Sequence, residues 1–128
     1  LASMIEKETG TAEDRPLIAG VFHNRLRLGM KMQSDPTVIY GISNFDGNLT
    51  RKHLETPTPF NTYTEMGLPP TPISNPGWDS LHSALQPASV KYLYFVARGD
   101  GSSAFSRTLR EHQRAVWKYQ VQPHRNSR

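Results

Sequence analysis

Glu8 is the residue of this chain best placed to do chemistry. In the opening stretch Leu1-Ala2-Ser3-Met4-Ile5-Glu6-Lys7-Glu8-Thr9-Gly10, residues 1, 4, 5 and 8 fall at the spacing of one helix face. Leu1, Met4 and Ile5 are apolar, so that face is expected to meet a core, and its fourth member is a carboxylate. A carboxyl at the edge of an apolar face loses hydration, which lifts its pKa toward neutrality. A general acid working near pH 7 needs that shift. Glu6 and Lys7 lie off the stripe and read as solvated. The competing reading leaves Glu8 at a frayed helix end, reaching water past Gly10.

Other chemistries lack their residues. There is no cysteine, so thiolate catalysis and disulfides are excluded, which fits an extracytoplasmic location. His23, His53, His82, His112 and His124 are scattered without metal-ligand spacing, so no metal site is expected. Ser3, Ser34, Ser80 and Ser106 have no nucleophile-elbow context, and no phosphate-cradling glycine loop is present. Among the remaining acids, Asp35 precedes a proline and reads as a helix N-cap. Glu13, Asp14, Glu55, Glu65 and Glu111 read as solvated or capping groups. One carboxyl in a semi-apolar setting, beside aromatics, amides and hydroxyls, suits a carbohydrate cleft. Ordinary glycosidases use two carboxylates. A single one suffices where the substrate supplies its own nucleophile.

The elements that must position Glu8 follow from pattern. After Gly10, the acids of Thr11-Ala12-Glu13-Asp14 and Pro16 open a second helix whose apolar face runs through Leu17, Ile18, Val21, Phe22, Leu26 and Leu28 to a stop at Gly29. Arg25 shares that face and needs a partner or a route to water. Met30 to Gln33 alternates with period two and predicts a short strand. Ser34-Asp35-Pro36 opens a short helix that ends at Gly41.

Residues 42–77 concentrate proline, glycine, asparagine and threonine, with Asp46-Gly47 suited to a hairpin tip. With Phe60, Tyr63 and Trp78 nearby, this stretch is expected to be ordered and functional. Asp79 to Leu85 predicts a helix with Leu81, Ala84 and Leu85 inward. Residues 92–97 form the best strand, and Gly99-Asp100-Gly101 turns it toward Ala104-Phe105-Ser106. Thr108 to Glu111 carries a capping-box pattern and starts a helix reaching about Tyr119. The expected fold is α+β: helices packed on a small antiparallel sheet, with a long ordered irregular segment forming a cleft. Residues 1–120 make one domain and 121–128 a loose tail.

The 128 residues suit one core that buries ~65–70% of the unfolded surface. A mean hydropathy of -0.59 fits an ordinary water-exposed domain, and no apolar run reaches a membrane-span length. The net charge of +4 favours acidic partners, with the densest basic cluster at His124, Arg125 and Arg128. No basic run is interleaved with aromatics, so no nucleic-acid partner is expected. The chain lacks an initiator methionine and opens inside a helical pattern without a cap, so a longer parent is expected.

The chain resembles the catalytic domain of the endolytic murein transglycosylases, the MltG or YceG-like family. The carriers are Ala2 to Thr9, Phe22-His23-Asn24-Arg25-Leu26, Gln33 to Gly41, Asn61-Thr62-Tyr63, Gly67-Leu68-Pro69-Pro70 and Lys91 to Val96, all in family order from Leu1 to about Val116. One departure is Ser102-Ser103-Ala104-Phe105, where family members commonly carry a Gly-His pair before the phenylalanine. The resemblance implies cleavage of the MurNAc-β-1,4-GlcNAc bond inside peptidoglycan glycan strands, with 1,6-anhydro-MurNAc ends and no cofactor. It puts the catalytic acid on Glu8. Gln33, Asn61 and Tyr63 are then candidates to bind acetamido or hydroxyl groups, Tyr40 to stack on a sugar ring, and Asp35 to orient a loop or a substrate hydroxyl. It also implies the bacterial cell envelope, at the periplasmic face of the inner membrane, with an upstream membrane anchor and cell-wall synthesis machinery as a partner. Two alternatives stay open: a hydrolytic muramidase using Glu8 and Asp35, and a non-catalytic peptidoglycan-binding module.

Overall fold

Met4 and Ile5 are fully buried, so the stripe that opens the chain does face a core. The computed structural model describes residues 1–8 and 10–122. The first helix, α1, spans Ala2–Glu8 and α2 spans Arg15–Leu28, with Pro16 in its first turn. Gly29 ends α2 with φ 70°, a left-handed conformation that costs glycine little. The Gly29 and Met30 N–H groups then return to the carbonyls of Leu26 and Arg25 at 3.3 and 2.8 Å, satisfying the last turn. Ile18, Ala19 and Phe22 of α2 join Met4, Ile5, Met32 and Ile73 in one apolar cluster.

Met30 to Gln33 is not a strand. Its alternation is real in burial, since Met32 is 1% exposed while Lys31 and Gln33 face out. Among the described residues no strand pairs with it; the Met30 N–H donates to the Arg25 carbonyl, the Gln33 N–H to the Thr62 carbonyl, and the Lys31 carbonyl accepts from Arg25 Nη1. Helix α3 follows over Asp35–Tyr40. Helix α4, Arg51–Glu55, is absent from the expectation above. Its signal was Thr50-x-x-His53, in which the imidazole replaces the usual Glu of a capping box: Thr50 Oγ1 accepts from the His53 N–H and His53 Nδ1 from the Thr50 N–H. Asp46-Gly47 bends the chain, with the Asn48 N–H donating to Asp46 Oδ1 at 2.9 Å, but makes no hairpin, because no strands flank it among the described residues.

Helix α5, Trp78–Leu85, forms as expected, and of the three residues expected inward Ala84 packs against the core while Leu81 and Leu85 do not. Ser80 and Ser83 are buried, whereas Leu81 and Leu85 are 43% and 83% exposed. The reason is Glu6, which is not free in solvent. Its Oε1 accepts from the Gly77 N–H at 2.8 Å and the Ser80 hydroxyl at 3.0 Å, capping α5 from α1. These bonds hold the Glu6 carboxyl below the usual range.

Strands β1, Tyr94–Ala97, and β2, Ser103–Ser106, pair antiparallel with Tyr94 opposite Ser106 and Ala97 opposite Ser103. Gly99 and Gly101, at φ 94° and 92°, make the turn. Helix α6, Leu109–Val116, is capped by Thr108 Oγ1 accepting from the Glu111 N–H, and runs into a π-helical turn over Trp117–Val121. Asp14 does not cap α2 through its side chain. Its Oδ2 accepts from the Ser103 N–H at 2.7 Å, tying the start of α2 to β2. Among the described residues, six α-helices on a two-stranded antiparallel sheet make the chain α+β. The expected tail lies almost wholly in 123–128, outside the described residues, as does the His124–Arg128 basic cluster.

Candidate active site

The last residue of α1 opens onto a cleft of about 480 Å³. Glu8, Arg25, Met32, Gln33, Asp35 and Tyr63 line one part of it, and Tyr94 to Ala97, Ser103, Leu109 and His112 the rest. The long irregular segment contributes only Tyr63 to these walls. The segment thus forms one part of the cleft through Tyr63, and the other walls come from Glu8 of α1, Arg25 of α2, residues 32–35, the hairpin and α6. The segment also turns Ile73 and Asn61 inward, and so serves the core.

Glu8 is partly buried, and among the described residues no Lys or Arg pairs with it. Its Oε1 accepts one hydrogen bond, from the Ser34 hydroxyl at 2.9 Å. Burial pushes the Glu8 pKa up to about 7, against the Ser34 hydrogen bond and with help from the nearby Asp35 charge. The stripe at 1, 4, 5 and 8 thus ends in a protonatable group on a cleft wall, with a carboxyl that can exist in either state near neutrality.

Ser34 is the orienting residue, and it carried no signal in the sequence beyond its place before a helix. It occupies the N-cap of α3, yet its hydroxyl makes no cap bond because it is turned to Glu8. Its backbone is fixed by a buried knot of hydroxyls. The Ser34 N–H donates to Thr62 Oγ1 at 2.9 Å, Thr37 Oγ1 donates to the Ser34 carbonyl at 2.7 Å, and the two threonine hydroxyls share a 2.8 Å bond. Gln33, at φ 51°, turns the chain sharply just before it. A left-handed non-glycine residue is held only where its surroundings over-determine it. Here the knot does so.

Asp35 is the first residue of α3 rather than its cap, and it is exposed at the cleft. Tyr63 donates its hydroxyl to Asp35 Oδ1 at 2.6 Å. Burial and that bond push the Tyr63 hydroxyl well above its usual range, so it stays a donor. Arg25 is 6% exposed and lies without a carboxylate partner among the described residues. Its Nε donates to the Leu93 carbonyl and its Nη1 to the Lys31 carbonyl, each at 2.7 Å. The guanidinium sits 5.0 Å from the Tyr94 ring, and His112 stacks on the same ring at 5.0 Å. Burial and Arg25 hold the His112 pKa below its usual value, favouring the neutral ring.

The structure therefore brings Glu8, Gln33, Asp35 and Tyr63 to one cleft and leaves two candidates out. Asn61 has no exposed surface. Its amide donates to the carbonyls of His53, Leu54 and Thr56, and its Oδ1 accepts from the Tyr63 N–H. Contact with a sugar is excluded by that burial; Asn61 pins α4 and the backbone of Tyr63. Asn61→Ala is expected to cost about 2 kcal/mol in urea unfolding, because a fully buried amide is lost and the carbonyls of His53, Leu54 and Thr56 lose their donor. An unchanged midpoint would show the carbonyls are hydrated instead. Tyr40 is 51% exposed but packs its ring at 5.0 Å on Phe60, away from the residues that line the cleft. Arg25, Ser34, Tyr94 and His112 are the site residues that sequence reasoning passed over, although the stripe had flagged Arg25 as needing partners.

The YceG-like family profile matches residues 1–118. An endolytic murein transglycosylase of Bacillus subtilis is 44% identical over 119 residues, covering 93% of this chain and 33% of that protein. One from Streptococcus pneumoniae is 34% identical over 122 residues, covering 91% and 22%. The crystal structure of a yceG-like protein from Listeria monocytogenes superposes with a TM-score of 0.80 at 47% identity, over 88% of this chain and 36% of that one. The chain thus spans about a third or less of the curated relatives it matches. With the match running from α1 through α6 and taking in every wall of the cleft, the chain belongs to the YceG-like family.

Proposed function

We propose that this chain is the catalytic part of an endolytic lytic transglycosylase that cuts the MurNAc-β-1,4-GlcNAc bond of peptidoglycan with one acid–base group, Glu8. The observation that carries the reading is the placement of that carboxyl: at the end of an apolar-faced helix, on a cleft wall, held by Ser34 and, among the described residues, unpaired with any Lys or Arg. Protonated Glu8 gives its proton to the glycosidic oxygen as the bond to C1 breaks. The muramyl C6 hydroxyl then closes onto C1, and its proton returns to Glu8. No water enters, and the acid is regenerated. Gln33, Asp35 and Tyr63 stand where acetamido and hydroxyl groups of the strand would lie. Support comes from relatives named endolytic murein transglycosylases.

This reading puts the chain in the bacterial cell envelope. Anchorage at the inner membrane through an upstream span, and contact with the cell-wall synthesis machinery, belong to the same proposal. No helix among the described residues is long and apolar enough to cross a membrane.

Mass spectrometry of glycan digested by the protein with its native flanking sequence tests the reaction. Anhydro ends are expected, each one water lighter than a hydrolytic product. Asp35→Asn sharpens the test. Asp35 raises the Glu8 pKa by its charge, so removing it should move the alkaline fall of kcat/KM to lower pH while turnover persists. A muramidase that used Asp35 as its second carboxylate would instead yield reducing ends and lose nearly all activity in that variant.

A further inference from the structure

The stretch around α6 carries most of the chain's net charge. Residues 107–118 hold Arg107, Arg110, Arg114 and Lys118 against Glu111 alone, leaving +3 there of a net +4 for the whole chain. All four cations are exposed, and none is in a salt bridge among the described residues. Arg110, Arg114 and Lys118 recur every four residues, so they lie along one side of the helix. Trp117, 47% exposed, falls on the same side. At the other end of the row, Arg107 and Lys91 line a depression of about 300 Å³ with Tyr92 and no acid.

The position of this face fixes what it can meet. Leu109 and His112, in the first turns of the same helix, line the cleft that contains Glu8. The π-helical turn is tied back to the sheet, where the Gln120 amide donates to the Ala97 carbonyl at 2.7 Å. The charged face is therefore rigidly joined to the cleft rim. A polymer cut in its interior must leave the cleft at both ends, and the part outside needs a surface. Peptidoglycan strands carry carboxylates on their lactyl-linked peptides, and rows of exposed cations attract such groups over about a Debye length.

We propose that the basic face of α6 is an exosite for the carboxylate-bearing side chains of the strand whose sugar backbone enters the cleft. This rests on the transglycosylase reading for the identity of the polymer. Guanidinium and ammonium heads spaced about a helical turn apart match flexible acidic peptides rather than a single fixed ligand, so affinity is gained through several weak, salt-sensitive contacts.

The test compares soluble peptidoglycan strands with the same strands after carbodiimide conversion of their carboxyls to amides. The triple variant Arg110→Gln/Arg114→Gln/Lys118→Gln is expected to bind the native strands roughly tenfold more weakly at low salt, with the difference closing at high salt. On amidated strands variant and wild type should agree within about twofold. Arginine-to-lysine replacements at 110 and 114 should restore most of the binding, since charge rather than fork geometry is read. Equal loss on both strands, or no loss on either, overturns the proposal. So does a loss of binding to anionic phosphatidylglycerol vesicles with strand binding intact, which would make the face a membrane contact. Anhydro ends counted in the same samples keep the two ideas apart: strand binding that follows charge without anhydro product removes the catalytic reading and leaves the exosite standing.

Discussion

Glu8→Gln is expected to lower release of anhydro-muropeptides by about 10⁴-fold while leaving strand binding within a few-fold of wild type. Positioned proton transfer contributes roughly 10²–10⁴-fold to a rate, and one group serving both as acid to the leaving oxygen and as base to the C6 hydroxyl stands at the upper end of that range. Glutamine keeps the size of the side chain and an oxygen for the Ser34 hydroxyl, so the local geometry held by the threonine knot survives. What it lacks is a transferable proton. In the wild type, kcat/KM should be flat on the acid side and fall above about pH 7, as Glu8 ionises and can no longer donate. A single-turnover assay separates the chemical step from product release. If the glutamine variant turned over as fast as wild type, Glu8 would have no place in the reaction.

What the sequence made legible was whatever depends on local period. The spacing of Leu1, Met4, Ile5 and Glu8 put a carboxyl on a core-facing stripe, and the structure buries Met4 and Ile5 and opens Glu8 to the cleft. Pro16 and Gly29 bracket α2, and Gly99 with Gly101 turns the hairpin, because these residues restrict the backbone wherever they occur. What stayed hidden depends on partners distant in the chain. Ser34 reads only as the residue before a short helix, and only the approach of Thr62 and Glu8 shows that it takes the N-cap position with its hydroxyl turned away from that helix. Asn61 sits in a polar, loop-like stretch that suggests exposure, yet three carbonyls of residues 53–56 bury it. Leu81 and Leu85 follow an inward pattern that fails because Glu6 claims the serine face of α5. Arg25 is the intermediate case: its stripe announced a buried cation, but not the Leu93 carbonyl 68 residues away that receives it.

The same carboxyl should make the folded protein less stable as pH rises. Glu8 moves from a usual value of 4.5 to about 7 on folding, so between those values the native state binds more protons than the unfolded chain. Stability must then fall across that window: the contribution of a neutral Glu8 is whole below pH 4.5 and gone once pH passes about 7. A shift of this size corresponds to about 3–4 kcal/mol at most, taking about 1.4 kcal/mol for each pH unit. Glu8→Gln removes the ionisation while keeping an acceptor for Ser34. Urea midpoints of wild type and variant are therefore expected to coincide near pH 4.5 and to separate progressively, with the variant more stable by about 2–3 kcal/mol at pH 8. All other titrating groups are shared by the two proteins and cancel in the difference. A gap that did not vary with pH would mean the carboxyl ionises as freely folded as unfolded, and the desolvation that suits Glu8 to acid–base work would be absent. A gap of the expected sign ties the two measurements together: the burial that costs stability above neutrality is the burial that keeps a proton on Glu8 for the leaving oxygen.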